Sequence, residues 1–183
     1  MKTVEIAGGG GGFRRSLSAS FKEAGCTAAS AGESLDMFVF VIDPPPCSPT
    51  DYGALLSAYE STAMALLEQT AAALPRLEKG TTRRLCFVNR LSSSVNLAGS
   101  MEGGFERMAA AASNMAVMTL FNRLRPLGYT FRLYGAADLS GGGECGCIAE
   151  YCLENRSLEE ESPRHSDENR LVMRDKHEVE YPF

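Results

Sequence analysis

Apolar and polar positions follow two periods along the chain, and the switches between them mark its elements. Thr3 to Ala7 reads as a short strand that runs into five glycines, Gly8 to Gly12. Phe13, Leu17 and Phe21 then stand four apart, which predicts a helix over 13–24 with one buried face. Gly25 supplies its C-terminal stop. Cys26 to Ala29 fits a short strand. Met37-Phe38-Val39-Phe40-Val41-Ile42 is apolar at every position, the mark of a strand buried on both faces of a parallel sheet. Asp43-Pro44-Pro45-Pro46 ends it.

Thr50 or Asp51 can cap the next helix. Leu55, Tyr59, Ala63, Leu66, Thr70 and Leu74 trace its apolar face as far as Pro75. Leu85-Cys86-Phe87-Val88, within 84–89, is a second buried strand, and the serines 92, 93 and 94 form a loop after it. A long helix rich in alanine and methionine follows over 105–124, stopped by Pro126 and Gly128. Tyr129 to Tyr134 reads as another strand. Gly135 and Gly141 to Gly143 open a loop before a short helix over 145–154. Charge dominates the following stretch around Glu159-Glu160-Glu161, which predicts a solvated connector over 156–169. Leu171 to Met173 reads as a last strand. Strands alternating with helices imply an α/β fold. The expectation is one Rossmann-like domain over 1–183, a three-layer sandwich with helices on both faces of a mainly parallel sheet of about five to six strands. Ligands in such folds sit at the carboxyl ends of the strands, where strand order reverses.

The chain has 183 residues, 44% of them hydrophobic and 22% charged, so it can build an ordinary core without disulfides or metals. The net charge of −5 excludes the basic excess of a nucleic-acid binder and gives no attraction to an anionic membrane. No apolar run is long enough to span a bilayer. Met1 to Ile6 is too short an apolar stretch for a signal peptide. Three of the six cysteines are scattered through apolar segments, and the set reads as buried free thiols of a cytoplasmic protein. Cys145, Cys147 and Cys152 lack the second pair that a zinc site needs, and His165 and His177 are not at ligand spacing, so no metal is expected.

A strand, then Gly8 to Gly12, then a helix is the context a phosphate-cradling loop requires. Without Cβ atoms the backbone can approach a pyrophosphate, and the helix start presents unpaired N–H groups and a positive dipole end. Gly8, Gly9, Gly10, Gly11, Gly12, Phe13 and Arg14 are the candidate cofactor-binding positions. Arg14 and Arg15 either meet a phosphate, including the 2′-phosphate of NADP, or are solvated surface. The P-loop lysine and Ser/Thr are missing. A nucleophile role for Ser92 to Ser94 has no nearby histidine or Gly-x-Ser-x-Gly to support it. Asp138 and Glu144 flank the second glycine cluster at a strand end, as a candidate carboxylate pair.

Taken together these segments resemble the short-chain dehydrogenase/reductase family. Ala7-Gly8-x3-Gly12-x-Arg14 is similar to that family's Thr-Gly-x3-Gly-x-Gly, with arginine in the third glycine's place. Thr62 to Pro75 resembles the helix that carries an active-site asparagine, with Thr62 at the asparagine. Leu85 to Ser94 resembles the strand ending in the catalytic serine, best matched by Ser93. Ala109 to Pro126 is similar to the long helix behind the catalytic tyrosine, Tyr129 to Leu139 to the next strand, and Met173 to Phe183 to the closing one.

The resemblance implies an NAD(P)-dependent hydride transfer, but the family's Tyr-x3-Lys is absent. Registering the long helix on Asn114 and Pro126 puts Glu106 at the tyrosine and Ala110 at the lysine. The stretch from Gly25 to Met37 is also too short for the strand, helix and strand that clasp the adenosine, since a βαβ unit takes about 30 residues. The expectation is therefore a non-catalytic relative, a partner subunit or a nucleotide- or phosphate-binding module, that holds NAD or NADP weakly or not at all. The alternative is an NAD(P)-dependent oxidoreductase with an altered site, in which Ser93 orients the substrate and Glu106 moves protons. In the family the helices matching 51–75 and 105–124 pair subunits. Their small and methionine-rich faces here imply a homodimer or heterodimer.

Overall fold

The structure is a computed structural model and describes residues 1–48, 50–97, 104–154 and 170–182. The connector expected at 156–169 lies outside the described residues. Seven strands form one sheet in the order β2-β1-β3-β4-β5-β6-β7. They are β1 (Thr3–Gly8), β2 (Thr27–Ala28), β3 (Met37–Val41), β4 (Arg84–Arg90), β5 (Thr130–Ala136), β6 (Met173–Arg174) and β7 (Glu180–Tyr181). Every neighbouring pair is parallel except β6 with β7. The expected three-layer α/β architecture is therefore present, with more strands than the apolar pattern predicts. β6 and β7 have two residues each, too few for a period to register.

The central strands read as continuous apolar runs because helices cover both faces. Along β3 the side chains alternate between two cores. Met37, Val39 and Val41 meet Phe13, Leu17 and Phe21 of α1 (Gly11–Glu23) and Ile148 and Cys152 of α5 (Cys145–Leu153). Phe38 and Phe40 meet the opposite layer. That layer holds α2 (Tyr52–Tyr59), a π-turn (Glu60–Met64), α3 (Ala65–Leu77) and α4 (Glu106–Leu124). Phe131 of β5 packs edge-on against Phe121 of α4, with centroids 5.4 Å apart. Each such buried side chain contributes about 1.5–3 kcal/mol of burial free energy.

Two helices differ from their expected form. α1 begins at Gly11, inside the glycine run, although glycine is a poor helix former. The helix expected over 51–75 is interrupted by the π-turn, where Thr62 Oγ1 donates to the Ala58 carbonyl at 2.6 Å. It also continues past Pro75 to Leu77, which is fully buried and anchors the last turn. The strand expected at 171–173 falls at Met173–Arg174, and β7 follows it.

Two arginines lie inside the protein. Arg84 and Arg132 are 2% and 1% exposed. Arg84 donates to the carbonyls of Cys152 and Glu154, and Arg132 also donates to Glu154. Cations at the carboxyl end of α5 complement its dipole and satisfy its last carbonyls.

Asp36 ties the strand starts together. Its carboxylate accepts from the Thr3 N–H at 2.9 Å and the Thr3 hydroxyl at 3.1 Å. It accepts from the Thr81 N–H and hydroxyl at 2.8 Å each. Burial alone would raise its pKa, but these four hydrogen bonds outweigh burial and hold it down to about 2. A depressed carboxylate stabilises the fold above its unfolded value, and that stability is lost as pH falls towards about 2. It amounts to on the order of 2 kcal/mol. Asp36→Asn is expected to lower stability at neutral pH by about 2 kcal/mol and to flatten the loss between pH 4 and pH 2, both read from urea unfolding across pH.

Candidate functional site

Chain order reverses between β1 and β3. The chain leaves β1 outward to β2 and returns on the other side to β3. The crevice above the carboxyl ends of these two strands is where ligands bind in open α/β sheets. Gly8 and Gly9 close β1 with φ of +71° and +57°. A Cβ on Gly8 would stand 2.3 Å from the Val41 carbonyl oxygen, and one on Gly9 would stand 2.7 Å from Val41 Cγ1. Only glycine satisfies both the backbone region and the space.

The next three glycines differ. A Cβ on Gly10 or Gly12 would meet nothing within 4 Å, so the loop faces open space. Gly10 is the N-cap of α1, and no side chain caps it. The Arg14 N–H returns to the Gly10 carbonyl at 3.0 Å. The N–H groups of Gly11, Gly12 and Phe13 precede that bond and have no intrahelical acceptor. The Phe13 side chain lies in the core, 3% exposed, so only its backbone faces the crevice. Arg14 and Arg15 are exposed. Gly142 of the second glycine cluster approaches Ser16, where a Cβ would come within 3.0 Å.

At the end of β4 the chain turns through Leu91–Ser93. Ser93 is buried, and its Oγ accepts from Asn114 Nδ2 of α4 at 3.1 Å. Asn114 Oδ1 accepts from Asn89 Nδ2 of β4 at 2.7 Å, and the same Asn89 amide donates to the Ala110 carbonyl at 3.0 Å. Ser92 is half-buried, and its carbonyl accepts from Arg107 Nε at 3.0 Å. Ser94 donates its hydroxyl to the Pro182 carbonyl. Thus Ser93 is held by a chain of two asparagines that spacing alone did not reveal. Their one signal was an amide on an otherwise apolar strand end and another on an apolar helix face.

Glu106 opens α4. Its carboxylate accepts from the Gly104 N–H at 2.9 Å and the Cys47 N–H at 3.4 Å. Burial pushes its pKa up, but the backbone N–H groups of Gly104, Glu106 itself and Cys47, with the charge of Arg90, bring it below the ordinary carboxylate value. It is therefore an ionised group near neutral pH, and it ties α4 to the loop after β3. Arg90 pairs with Asp43 at 2.5 Å across the ends of β4 and β3.

The carboxylates flanking the second glycine cluster turn to different partners. Glu144 accepts from the buried Tyr134 hydroxyl and the Ala137 N–H, each at 3.2 Å. Asp138 accepts from the Ser140 N–H and hydroxyl. Burial and the Glu144 charge push the Tyr134 hydroxyl well above its ordinary pKa, so it stays protonated. His177 is exposed in the β6–β7 turn, and His165 lies outside the described residues. Cys145 and Cys152 are buried while Cys147 is exposed. Among the described residues no three His, Cys, Asp or Glu side chains are placed to hold a metal. No helix among them is long and apolar enough to cross a membrane.

Solved structures with this architecture include reductases. The fold superposes on a carbonyl reductase from Pseudomonas aeruginosa PAO1 in complex with NADP, with a TM-score of 0.73 and 13% identity, over all of both chains. It superposes on a short-chain dehydrogenase/reductase from Burkholderia multivorans with bound NADP, at 0.65 and 12%, over 100% of this chain and 99% of the other. An enoyl-[acyl-carrier-protein] reductase (NADH) from Aquifex aeolicus VF5 gives 0.66 and 13%, over 94% of each chain. At these identities the likeness defines the fold, the Rossmann-like fold of the short-chain reductases. In sequence, 81 residues are 37% identical to the C-signal of Myxococcus xanthus, covering 43% of this chain. The chain thus spans about half (48%) of that curated relative's length. No family model matches.

The buried chain of Ser93, Asn114 and Asn89 predicts coupled energetics. Asn114→Ala and Asn89→Ala each leave a buried polar partner unsatisfied, at about 1–3 kcal/mol. The double substitution should cost clearly less than the sum of the two, read as a double-mutant cycle in urea unfolding.

Proposed function

We propose that this chain is a dinucleotide-binding oxidoreductase of the short-chain dehydrogenase/reductase class, with NADP or NAD held at Gly8 to Gly12. The observation that carries this reading is the glycine turn. Gly8 and Gly9 bring the backbone against β3, while Gly10, Gly11 and Gly12 leave the start of α1 open to an anion. The N–H groups of Gly11, Gly12 and Phe13 would hold the pyrophosphate, with the positive dipole end behind them. Arg14 and Arg15 supply charge beside it. Bound nicotinamide would supply the hydride chemistry of the class. The NADP complexes of two structural neighbours support this choice of ligand.

Among the chain's own groups, the asparagine-held Ser93 is the candidate for orienting a substrate oxygen. Glu106 is ionised near neutral pH, so it can accept a proton from a substrate hydroxyl more readily than donate one. One observation favours a second, non-catalytic reading. Ala110, which is 2% exposed, stands where the resemblance puts the lysine. In that reading the chain binds dinucleotide or serves as a partner subunit without turnover.

Fluorescence titration with NADPH and NADH is expected to give micromolar affinity for at least one of them. Gly10→Asp should weaken that affinity at least about tenfold, because its carboxylate would occupy the anion's place. It should leave the thermal midpoint equal or higher, since aspartate caps a helix start well and a Cβ there meets nothing. No binding of either nucleotide would overturn the dinucleotide reading. Alcohol-dependent gain of NADPH absorbance from NADP that disappears in Glu106→Gln supports the oxidoreductase. Binding without turnover supports the second reading.

The layer of α2, α3 and α4 carries exposed apolar side chains: Leu56, Met64, Leu67, Met108 and Met115, with Met64 at 60% and Met115 at 67% exposure. We propose that a second copy covers this face. Sedimentation should report a dimer, and Met64→Lys with Met115→Lys should shift it to monomer, since each charge would be buried unpaired in the interface.

A further inference from the structure

The face of the sheet that carries α1 is covered unevenly. α5 packs against one flank of α1. The opposite flank, Gly11, Arg15, Ser18 and Lys22, recurs at helical spacing and borders a cleft of about 680 Å³. The floor of the cleft is largely apolar, with Val4 and Ile6 of β1, Phe21 of α1, and Ala28 of β2. Arg14, Arg15 and Lys22 stand along its rim, all exposed. β2 pairs with β1 only at Thr3 and Val4, and residues 29–36 contain neither helix nor strand. A crossover between parallel strands usually lays a helix on the sheet face. Here none covers this edge.

We propose that the cleft is a docking groove for an acidic amphipathic helix of a partner protein. The partner's apolar stripe would lie on half-buried Ile6, exposed Ala28 and the aliphatic stems of Arg15 and Lys22, and its carboxylates would meet Arg14 and Arg15 at one end and Lys22 at the other. The spacing of the cations selects a helix over a small anion. Arg15 and Lys22 are seven residues apart, about 10 Å along α1 at 1.5 Å per residue. One phosphate or carboxylate cannot span that distance, whereas glutamates two turns apart on a partner helix match it. The rim is cationic on a chain of net charge −5, so the complementarity is local to this groove. This inference does not rest on the dinucleotide reading.

The probe is a fluorescein-labelled helical peptide of about 18 residues, long enough to hold several turns, with leucines at i, i+3, i+4 and i+7 and flanking glutamates. A second peptide replaces each glutamate with lysine. Anisotropy should show saturable binding of the glutamate peptide to the full chain. Ser18→Glu with Lys22→Glu should weaken it at least about tenfold, and the lysine peptide should bind this variant more tightly than it binds the natural chain. Both side chains are exposed, so the variant should keep its thermal midpoint. NADPH affinity, which reads the glycine loop separately, should hold within a few-fold. Failure of the glutamate peptide to bind, or equal affinity for both proteins, would overturn the proposal. So would displacement of bound peptide by inorganic phosphate at constant ionic strength, which would assign the cations to a small anion. Loss of NADPH binding together with peptide binding would likewise overturn it, by giving the cleft to the dinucleotide.

Discussion

The close approach of β1 to β3 at Gly8 and Gly9 is the contact on which the rest of the molecule depends. Both residues occupy the left-handed region, and both press against Val41 with no room for a Cβ. A side chain at either position would cost backbone strain of about 1–3 kcal/mol and would also push the strands apart. Because the strands stay close, the chain leaves the sheet abruptly and α1 starts within the glycine run. That start fixes where Phe13, Leu17 and Phe21 enter the core. It also leaves the first N–H groups of α1 above the switch point.

A second constraint operates at the other end of the crevice. Ser93, Asn114 and Asn89 are buried together and satisfy one another. Buried polar chains of this kind are costly when half made and rigid when complete. Glu106 acts on the same elements from outside, tying α4 to the loop after β3 through backbone N–H groups. The hydrogen bonds that position it also stabilise its charged form. Position and proton affinity are therefore linked, and any proton-transfer role must work with a weakly basic carboxylate.

The open glycine loop leaves a helix start with unpaired N–H groups above the switch point. The connection after β2 is short. Residues 29–36 pass from β2 to β3 without a helix, held by Arg76, which donates to the carbonyls of Ser30 and Glu33. The same direct connection exposes the flank of α1 and creates the cationic cleft. One local economy of chain thus leaves a groove beside α1.

Much of the architecture was legible in the sequence. β3 and the Leu85–Val88 stretch of β4 announced themselves as uninterrupted apolar runs, because both faces of the sheet are covered there. α1 showed its period, α4 its alanine and methionine content, and the glycine run marked the strand-to-helix turn. What the sequence by itself determined was therefore the layers and the place of the crevice. It could not separate the five glycines by role. Gly8 and Gly9 are required by the contact with Val41, whereas a Cβ at Gly10, Gly11 or Gly12 would meet no clash among the described residues. It could not pair Asn89 with Asn114, twenty-five positions apart, or show that Glu106 is held by Cys47 from a distant loop. Local propensity and periodicity are carried by neighbours in sequence. Hydrogen-bond partners, proton affinities and open space are set by residues that meet only when the sheet closes, and those the tertiary structure alone decided.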